Sequence, residues 1–176
     1  HCLEDLLSLK TVGWFQGRME FGPRALGNRS ILADPRKSEM KDRINLTIKY
    51  REEFRPFCPS VLFDKQKAFF EDTFDAPFMV VTFPVRPEVV EKVPAVVHVD
   101  NTARIQSVHA DHNPLYAQLI DRFSRETSVP MLLNTSLNIN EQPTVNSPLE
   151  ALHTFFCSGL DVLYLGPFRV AKPDKR

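Results

Sequence analysis

The spacing of apolar and polar residues along the chain predicts an alternation of strands and helices. In the range Pro114–Thr127, Leu115, Leu119, Ile120 and Phe123 recur with the period of an amphipathic helix. Further helices are predicted at 3–9, 39–48, 64–72 and 149–158. Short apolar or alternating runs predict strands at 11–16, 30–33, 58–63, 78–84, 95–99, 105–109, 129–133, 162–165 and 168–170.

This alternation predicts an α/β domain in which helices flank a twisted sheet. The connections between the early strands are short enough for antiparallel pairs, so the sheet is expected to be mixed. Ser38 and Ser147 stand where the N-caps of two helices are expected. A length of 176 residues fits a single domain, 1–176, in which residues 1–11 form a connecting helix. Because the chain opens at His1 inside a leucine-rich segment, we expect it to be a fragment of a longer protein.

Composition narrows the function classes. Acidic and basic residues number 22 each, so no overall charge attracts the chain to nucleic acid or anionic lipid. No apolar run approaches the ~20 residues of a membrane span, and no signal peptide is visible, which predicts a cytoplasmic protein. Cys2, Cys58 and Cys157 are widely spaced and form no CxxC pair, so we expect reduced thiols.

Glycine and arginine are concentrated in the stretch 16–31. Three of the six glycines and three arginines fall within 17–29, between two predicted strands. Glycine lets the backbone turn or approach a ligand closely, and arginine offers a planar fork of donors to carboxylate or phosphate oxygens. The stretch suggests an anion site, although a turn with solvated arginines explains the same residues.

Three further polar sets lie at the ends of predicted strands. A basic cluster at 49–57 leads into the strand at 58–63, Arg104 lies between two predicted strands, and hydroxyl and amide side chains at 134–140 follow the strand at 129–133. The segment 100–104 is expected to be a bulge or a binding rim. A ligand with several phosphates can draw on all of these sets, whereas a self-paired loop and a Ser/Asx turn are the simpler explanations.

Two strings identify a known family. The sequence FGPRALGNRS at 21–30, together with NTSLN at 134–138, resembles the carboxyl-terminal domain of the O-carbamoyltransferases of the nodulation-protein and cephem/tobramycin antibiotic type. The likeness extends roughly over 12–170. It implies a YrdC-like fold with a concave basic face.

The resemblance also implies a chemistry. In this family, carbamoyl phosphate is split to carbamate, which attacks the α-phosphorus of ATP and yields carbamoyl-adenylate and pyrophosphate. A separate amino-terminal domain, missing here, then transfers the carbamoyl group to a hydroxyl acceptor. ATP with Mg²⁺ is therefore expected at this chain, and Fe²⁺ only in the missing domain.

Site residues are carried over by the same likeness, since Lys49-Tyr50-Arg51 and Ser136-Leu137-Asn138 resemble the Lys-x-Arg and Ser-x-Asn elements of YrdC-like sites. The cations expected to neutralise phosphates are Arg24, Lys49, Arg55 and Arg104. The residues expected to hold the carbamoyl or adenylate end are Asn134, Ser136 and Asn138. Arg29, Arg51 and Thr102 are expected to add to binding, although Arg29 and Arg51 can instead pair with nearby carboxylates.

Two other functions stay open at this point. YrdC-like surfaces are basic, so a module that binds double-stranded RNA or tRNA is one alternative, and a structural partner domain without activity is another. The zero net charge argues against RNA. His109 and His112 flank Asp111 at a spacing that fits no standard zinc signature, so no metal site is expected in this chain.

Overall fold

A seven-stranded mixed sheet organises the computed structural model, which describes residues 1–52 and 54–173. The strands in chain order are β1 (Val12–Phe15), β2 (Arg29–Ala33), β3 (Cys58–Leu62), β4 (Thr82–Pro84), β5 (Thr102–Arg104), β6 (Gln106–Val108), β7 (Met131–Ser136), β8 (Val162–Leu165) and β9 (Phe168–Ala171). Across the main sheet the order is β6-β3-β7-β2-β1-β8-β9, and β4 pairs with β5 in a separate ribbon.

The predicted mixed sheet is confirmed. β1 pairs antiparallel with β2 and parallel with β8, while β7 lies antiparallel between β2 and β3, and β3 runs parallel to β6. All residues of β1, β2 and β3 are buried, as expected for strands whose two faces are covered. The end of β7 therefore lies between the starts of β2 and β3 at the centre of the sheet.

The described part of the chain has four α-helices, which flank the sheet: α1 (Cys2–Leu7), α2 (Glu39–Ile44), α3 (Pro114–Thr127) and α4 (Pro148–Phe156). The Asn113 side chain caps α3 by accepting from the Tyr116 backbone N–H. Ser147 and Glu150 form a capping box at α4, which confirms Ser147 as an N-cap. Ser38 stands at the predicted N-cap position of α2, but its side chain makes no cap hydrogen bond there.

The structure contradicts one predicted strand and shortens another. Residues 95–99 were expected to be a strand, but Pro94–Val96 forms a 3-10 turn, and Pro87–Lys92 before it forms another. Each begins with a proline, whose fixed φ and missing N–H suit the first position of a helical turn and weaken a strand ladder. The strand predicted at 78–84 is reduced to β4, because Met79 has a positive φ of 54°.

Polar residues lie in strands at two places where the sequence indicated other structure. The segment 100–104 was expected to be a bulge or a binding rim, and it contains the short strand β5, Thr102–Arg104. Asn134 and Ser136 were expected to lie in a loop, but β7 continues to Ser136, because Asn134 pairs with both β2 and β3 and Ser136 pairs with β2. Strand pairing overrides the low β propensity of asparagine here.

The helices predicted at 39–48 and 64–72 are shorter or tighter than expected. α2 ends at Ile44, and a π-helical turn, Asn45–Lys49, follows it directly. Tyr50, with a left-handed φ of 46°, ends this turn. Phe63–Ala68 is a 3-10 helix. Because π-helical turns are frequent at functional sites, the turn that ends at Lys49 makes this side chain a candidate site residue. No helix in the described part of the chain is long and apolar enough to cross a membrane.

Candidate functional site: an arginine pocket at the centre of the sheet

The loop between β1 and β2 is fixed through its backbone. The Glu20 carboxylate accepts hydrogen bonds from the backbone N–H groups of Leu26 at 2.7 Å, Asn28 at 2.8 Å and Arg29 at 3.3 Å. Gly27 has a φ of +104°, and a Cβ there would lie 2.3 Å from the Tyr116 ring. The loop therefore needs both the carboxylate and the glycine to keep its path.

The carbonyl groups of the same loop are bound by side chains from the sheet. The Asn134 amide donates to the carbonyl oxygen of Ala25, the Gln106 amide to that of Leu26, and the Trp14 indole to that of Gly27. Asn134, Gln106 and Trp14 are all buried. The loop thus lies on a rigid polar base, and Arg24 projects from it with an exposed side chain.

Arg29 belongs to the support of this loop. Its guanidinium donates to the backbone oxygens of Gln16, Asn28 and Gly17 and lies 3.4 Å from the centre of the Phe15 ring. Burial lowers its pKa. These contacts direct the guanidinium to the backbone, and Arg29 does not line the cavity described next.

A cavity of about 130 Å³ lies beside the loop and is named here the arginine pocket. Its walls are Pro23, Arg24, Ala25, Arg51, Pro56, Phe57, Cys58, Met79, Arg104, Asn134, Thr135 and Ser136. Arg24, Arg51 and Arg104 come from three distant parts of the sequence. Among the described residues, no carboxylate lies within 4 Å of these three guanidinium groups. The pocket thus concentrates positive charge in a small space.

Two of these arginines are bound through Nε, and their terminal NH groups have no hydrogen-bond partner among the described residues. Arg51 Nε donates to Asn45 Oδ1 at 2.8 Å, and the guanidinium lies 4.9 Å from the centre of the Phe57 ring. Arg104 Nε donates to Cys58 Sγ at 3.1 Å. Burial, and then the nearby charge of Arg55, lower the pKa of Arg51. Such arginines are oriented to bind an anion with little loss of side-chain entropy.

Lys49 lies directly behind the wall formed by Ser136. Its ammonium donates to the backbone oxygens of Ser136 at 2.6 Å and Asn138 at 2.9 Å and to Asn138 Oδ1 at 2.7 Å. Ser136 Oγ in turn donates to Asn138 Oδ1. Burial, with a smaller contribution from the Arg51 charge, lowers the pKa of Lys49 to about 7. Lys49 therefore fixes the turn after β7 and brings a titrating charge close to the pocket.

The remaining predicted site residues lie outside these walls. Arg55 is exposed, 3.9 Å from Glu52. Thr102 donates to Asp100 at 2.8 Å and contacts His98. The structure thus brings Arg24, Arg51, Arg104, Asn134 and Ser136 to one cavity, with Lys49 and Asn138 behind it, and leaves Arg29, Arg55 and Thr102 apart.

Sequence reasoning missed the residues that support the pocket. Glu20 lies inside the glycine and arginine stretch, and its acidic side chain among arginines was the available signal. Gln106 is a buried polar residue within an apolar run, a pattern that indicates a specific hydrogen-bonding duty. Cys58, for which the sequence predicts only a reduced thiol, accepts a hydrogen bond from Arg104 Nε through its sulfur.

The described residues contain no group of three or more His, Cys, Asp or Glu side chains that could hold a metal ion. The pocket can bind an anion through its positively charged side chains. Three guanidinium groups, the Ser136 hydroxyl and the Asn134 amide surround this cavity, where charge-assisted hydrogen bonds to phosphate oxygens are short and strong.

Comparison with known proteins supplies a family. The family model described as carbamoyltransferase C-terminus matches residues 3–172. The chain is 51% identical over 164 residues to nodulation protein NolO of Bradyrhizobium diazoefficiens, covering 92% of this chain and 30% of that protein. It is 42% identical over 137 residues to the 3'-hydroxymethylcephem-O-carbamoyltransferase of Streptomyces clavuligerus, covering 78% of this chain and 26% of that enzyme. The chain therefore spans under a third of the length of these relatives.

The fold is shared with part of a much larger solved structure. A crystal structure of full-length HypF, in its phosphate- and nucleotide-bound form, matches 97% of this chain and 25% of that chain with a TM-score of 0.63 at 16% sequence identity. This likeness confirms the YrdC-like fold predicted from the sequence. On the match over residues 3–172, the chain belongs to the carbamoyltransferase C-terminus family.

Proposed function

We propose that the arginine pocket binds the phosphates of ATP and carbamoyl phosphate and that this chain forms carbamoyl-adenylate. Water first converts carbamoyl phosphate to carbamate and phosphate. A carbamate oxygen then attacks the α-phosphorus of ATP, the bond between that phosphorus and the bridging oxygen to the β-phosphate breaks, and pyrophosphate leaves with the electron pair.

One observation carries the proposal: Arg24, Arg51 and Arg104 meet around one cavity with the hydroxyl and amide groups that end β7. Carbamate is a weak nucleophile, and its attack on ATP brings negative groups together. Charge neutralisation and alignment therefore supply most of the catalysis, and no protein nucleophile is needed.

Each group then has a role. Arg24, Arg51 and Arg104 hold phosphate oxygens and offset the charge that develops on pyrophosphate. The Ser136 hydroxyl donates to an oxygen of the ligand, and Lys49 keeps Ser136 and Asn138 in place. Asn134 Oδ1 is buried without a hydrogen-bond partner among the described residues and would accept from the carbamoyl amide.

The rest of the reaction belongs to parts of the relatives that this chain does not span. Mg²⁺ enters with ATP, neutralising phosphate charge as part of that substrate. Transfer of the carbamoyl group to a hydroxyl acceptor, with Fe²⁺, is assigned to an amino-terminal domain. The cytoplasmic location stays a prediction. The names of two matched proteins support the proposal, since one is an O-carbamoyltransferase and the other was solved with nucleotide and phosphate.

The test is carbamoyl-phosphate-dependent release of pyrophosphate from ATP. In Arg24→Ala and Arg104→Ala the rate should fall by roughly 100-fold or more, as when a single transition-state donor is removed. Arg125→Ala is the matched control, because this exposed arginine on α3 pairs only with Asp121 among the described residues. Full activity in both pocket variants would remove the pocket from the mechanism.

A further inference from the structure

A histidine and a cysteine stand side by side on the surface of α4. His153 Nε2 lies 3.8 Å from Cys157 Sγ, and both residues are exposed. The Cys157 backbone N–H donates to the His153 carbonyl oxygen at 2.9 Å, so one helical turn places the two side chains on the same face. Neither residue lines the arginine pocket. The proposed function therefore leaves both side chains without a role.

The distance between the two ligand atoms suits a shared metal ion. Zinc binds cysteine sulfur at about 2.3 Å and histidine nitrogen at about 2.0–2.1 Å, which in a tetrahedron separates the two atoms by about 3.6 Å. His153 Nε2 and Cys157 Sγ are already close to this separation. Two ligands four residues apart on one helix also bind zinc in the H-E-x-x-H motif. Cys157 is the C-cap of α4, and the C-terminal end of a helix favours a cation.

The pair does not make a complete site within one chain. Glu150 is the carboxylate one turn before His153, but its Oε2 accepts from the backbone N–H groups of Asn146 at 2.6 Å and Ser147 at 3.1 Å. Among the described residues, no third His, Cys, Asp or Glu joins the pair in a metal-binding group. Structural zinc sites have four protein ligands, so His153 and Cys157 amount to half of such a site.

Apolar side chains are exposed on the same face of α4. Leu149 and Phe156 are 77% and 56% exposed, and they lie four residues before and three residues after His153. Leu149 and His153 also line a groove of about 380 Å³. Exposed apolar residues are ordinary when scattered, but a group on one face indicates an interface. The half-site and the apolar residues therefore share one surface.

We propose that His153 and Cys157 form half of a zinc site that a second copy of this chain completes. A two-fold axis beside the pair would bring together two histidines and two cysteines, which are the four ligands of a closed tetrahedral site. Each thiol releases its proton to water as the thiolate binds the ion. The same axis would bury Leu149 and Phe156 of both copies against each other. This inference does not rest on the proposed function.

Analytical ultracentrifugation of this chain, in a thiol-free reductant, tests the inference. Zn²⁺ should convert the monomer to a dimer, and a chelator should reverse the change. Co²⁺ in place of Zn²⁺ should give the absorption of a tetrahedral thiolate complex that saturates at one ion per two chains. His153→Ala and Cys157→Ser should each abolish the dimer and the absorption. His112→Ala and Cys2→Ser remove a histidine and a cysteine elsewhere, and these matched controls should keep both signals.

A further variant tests the apolar part of the surface. Phe156→Gln keeps both ligands and should weaken the Zn²⁺-dependent dimer by roughly tenfold, as the loss of a ring from an interface does. An unchanged dimer in Phe156→Gln would show that the copies do not meet on this face of α4.

Three other results would overturn the inference. Zn²⁺ may leave the mass of the unmodified chain unchanged, which excludes the shared site. Saturation at one Co²⁺ per chain, on a monomer, would show a metal site that needs no second copy. A dimer that withstands the chelator would show that the copies associate without the metal.

Discussion

At the scale of single residues, hydrogen bonding and burial act on the pKa of Lys49 in opposite directions. Its ammonium is surrounded by oxygen acceptors from Ser136 and Asn138, which favour the charged form, yet burial lowers its pKa to about 7. From the resemblance we expected a phosphate ligand. The contacts make Lys49 a support of the turn that ends at Asn138, with a charge that switches near neutral pH.

The pH dependence of anion binding follows from this pKa. Above pH 7 the unliganded chain loses the Lys49 proton, whereas a bound anion favours its retention, so affinity for an ATP analogue should fall as pH rises from 7 to 9, by up to ~tenfold per unit. Lys49→Gln should bind more weakly at pH 7 and show a flatter profile. Titrating the same analogue into both proteins cancels the titration of the ligand itself. Parallel profiles would contradict the role of Lys49.

At the scale of elements, the loop between β1 and β2 is the part of the fold that positions Arg24. Its donors and acceptors are bound by Glu20, Asn134, Gln106 and Trp14. A loop fixed at so many points holds Arg24 at the wall of the arginine pocket before any ligand binds. The order of this loop is therefore part of the binding site.

Removing the Glu20 carboxylate tests that statement. Glu20→Ala leaves the N–H groups of Leu26, Asn28 and Arg29 without their acceptor, which should lower the free energy of unfolding by ~1–3 kcal/mol in urea titrations. Affinity for the ATP analogue should fall as well, because Arg24 loses its support. Glu126→Ala, at an exposed position of α3, should stay within about 0.5 kcal/mol. Unchanged stability in Glu20→Ala would show that the loop holds itself.

At the scale of the whole molecule, the ends of strands distant in sequence meet at the centre of the sheet. β7 lies between β2 and β3, so the loop before β2, the cluster before β3 and the end of β7 are neighbours. β5 carries Arg104 to the same place from the separate ribbon. The pocket is thus a consequence of strand order.

Sequence patterns predicted the α/β class, the mixed sheet and the two long helices, because apolar periodicity and capping residues are local signals. They failed at 95–99, where prolines produced 3-10 turns, and at Asn134 and Ser136, where pairing with the neighbouring strands extended β7. Lys49 hydrogen-bonds Ser136 and Asn138, which only the fold brings close to it. Glu20 hydrogen-bonds residues of its own loop, and the spacing of apolar residues does not predict the path of that loop. Arg24 was found through its motif.

The measurement that tests the account most directly is a calorimetric titration of this chain with a non-hydrolysable ATP analogue, with and without carbamoyl phosphate. The account predicts binding heat that is lost in Arg24→Ala and Arg104→Ala and kept in Arg125→Ala. It also predicts that carbamoyl phosphate changes the affinity, since the two ligands share the arginine pocket. RNA binding with a steep salt dependence and no heat with nucleotide would contradict it, and so would the absence of heat with either ligand.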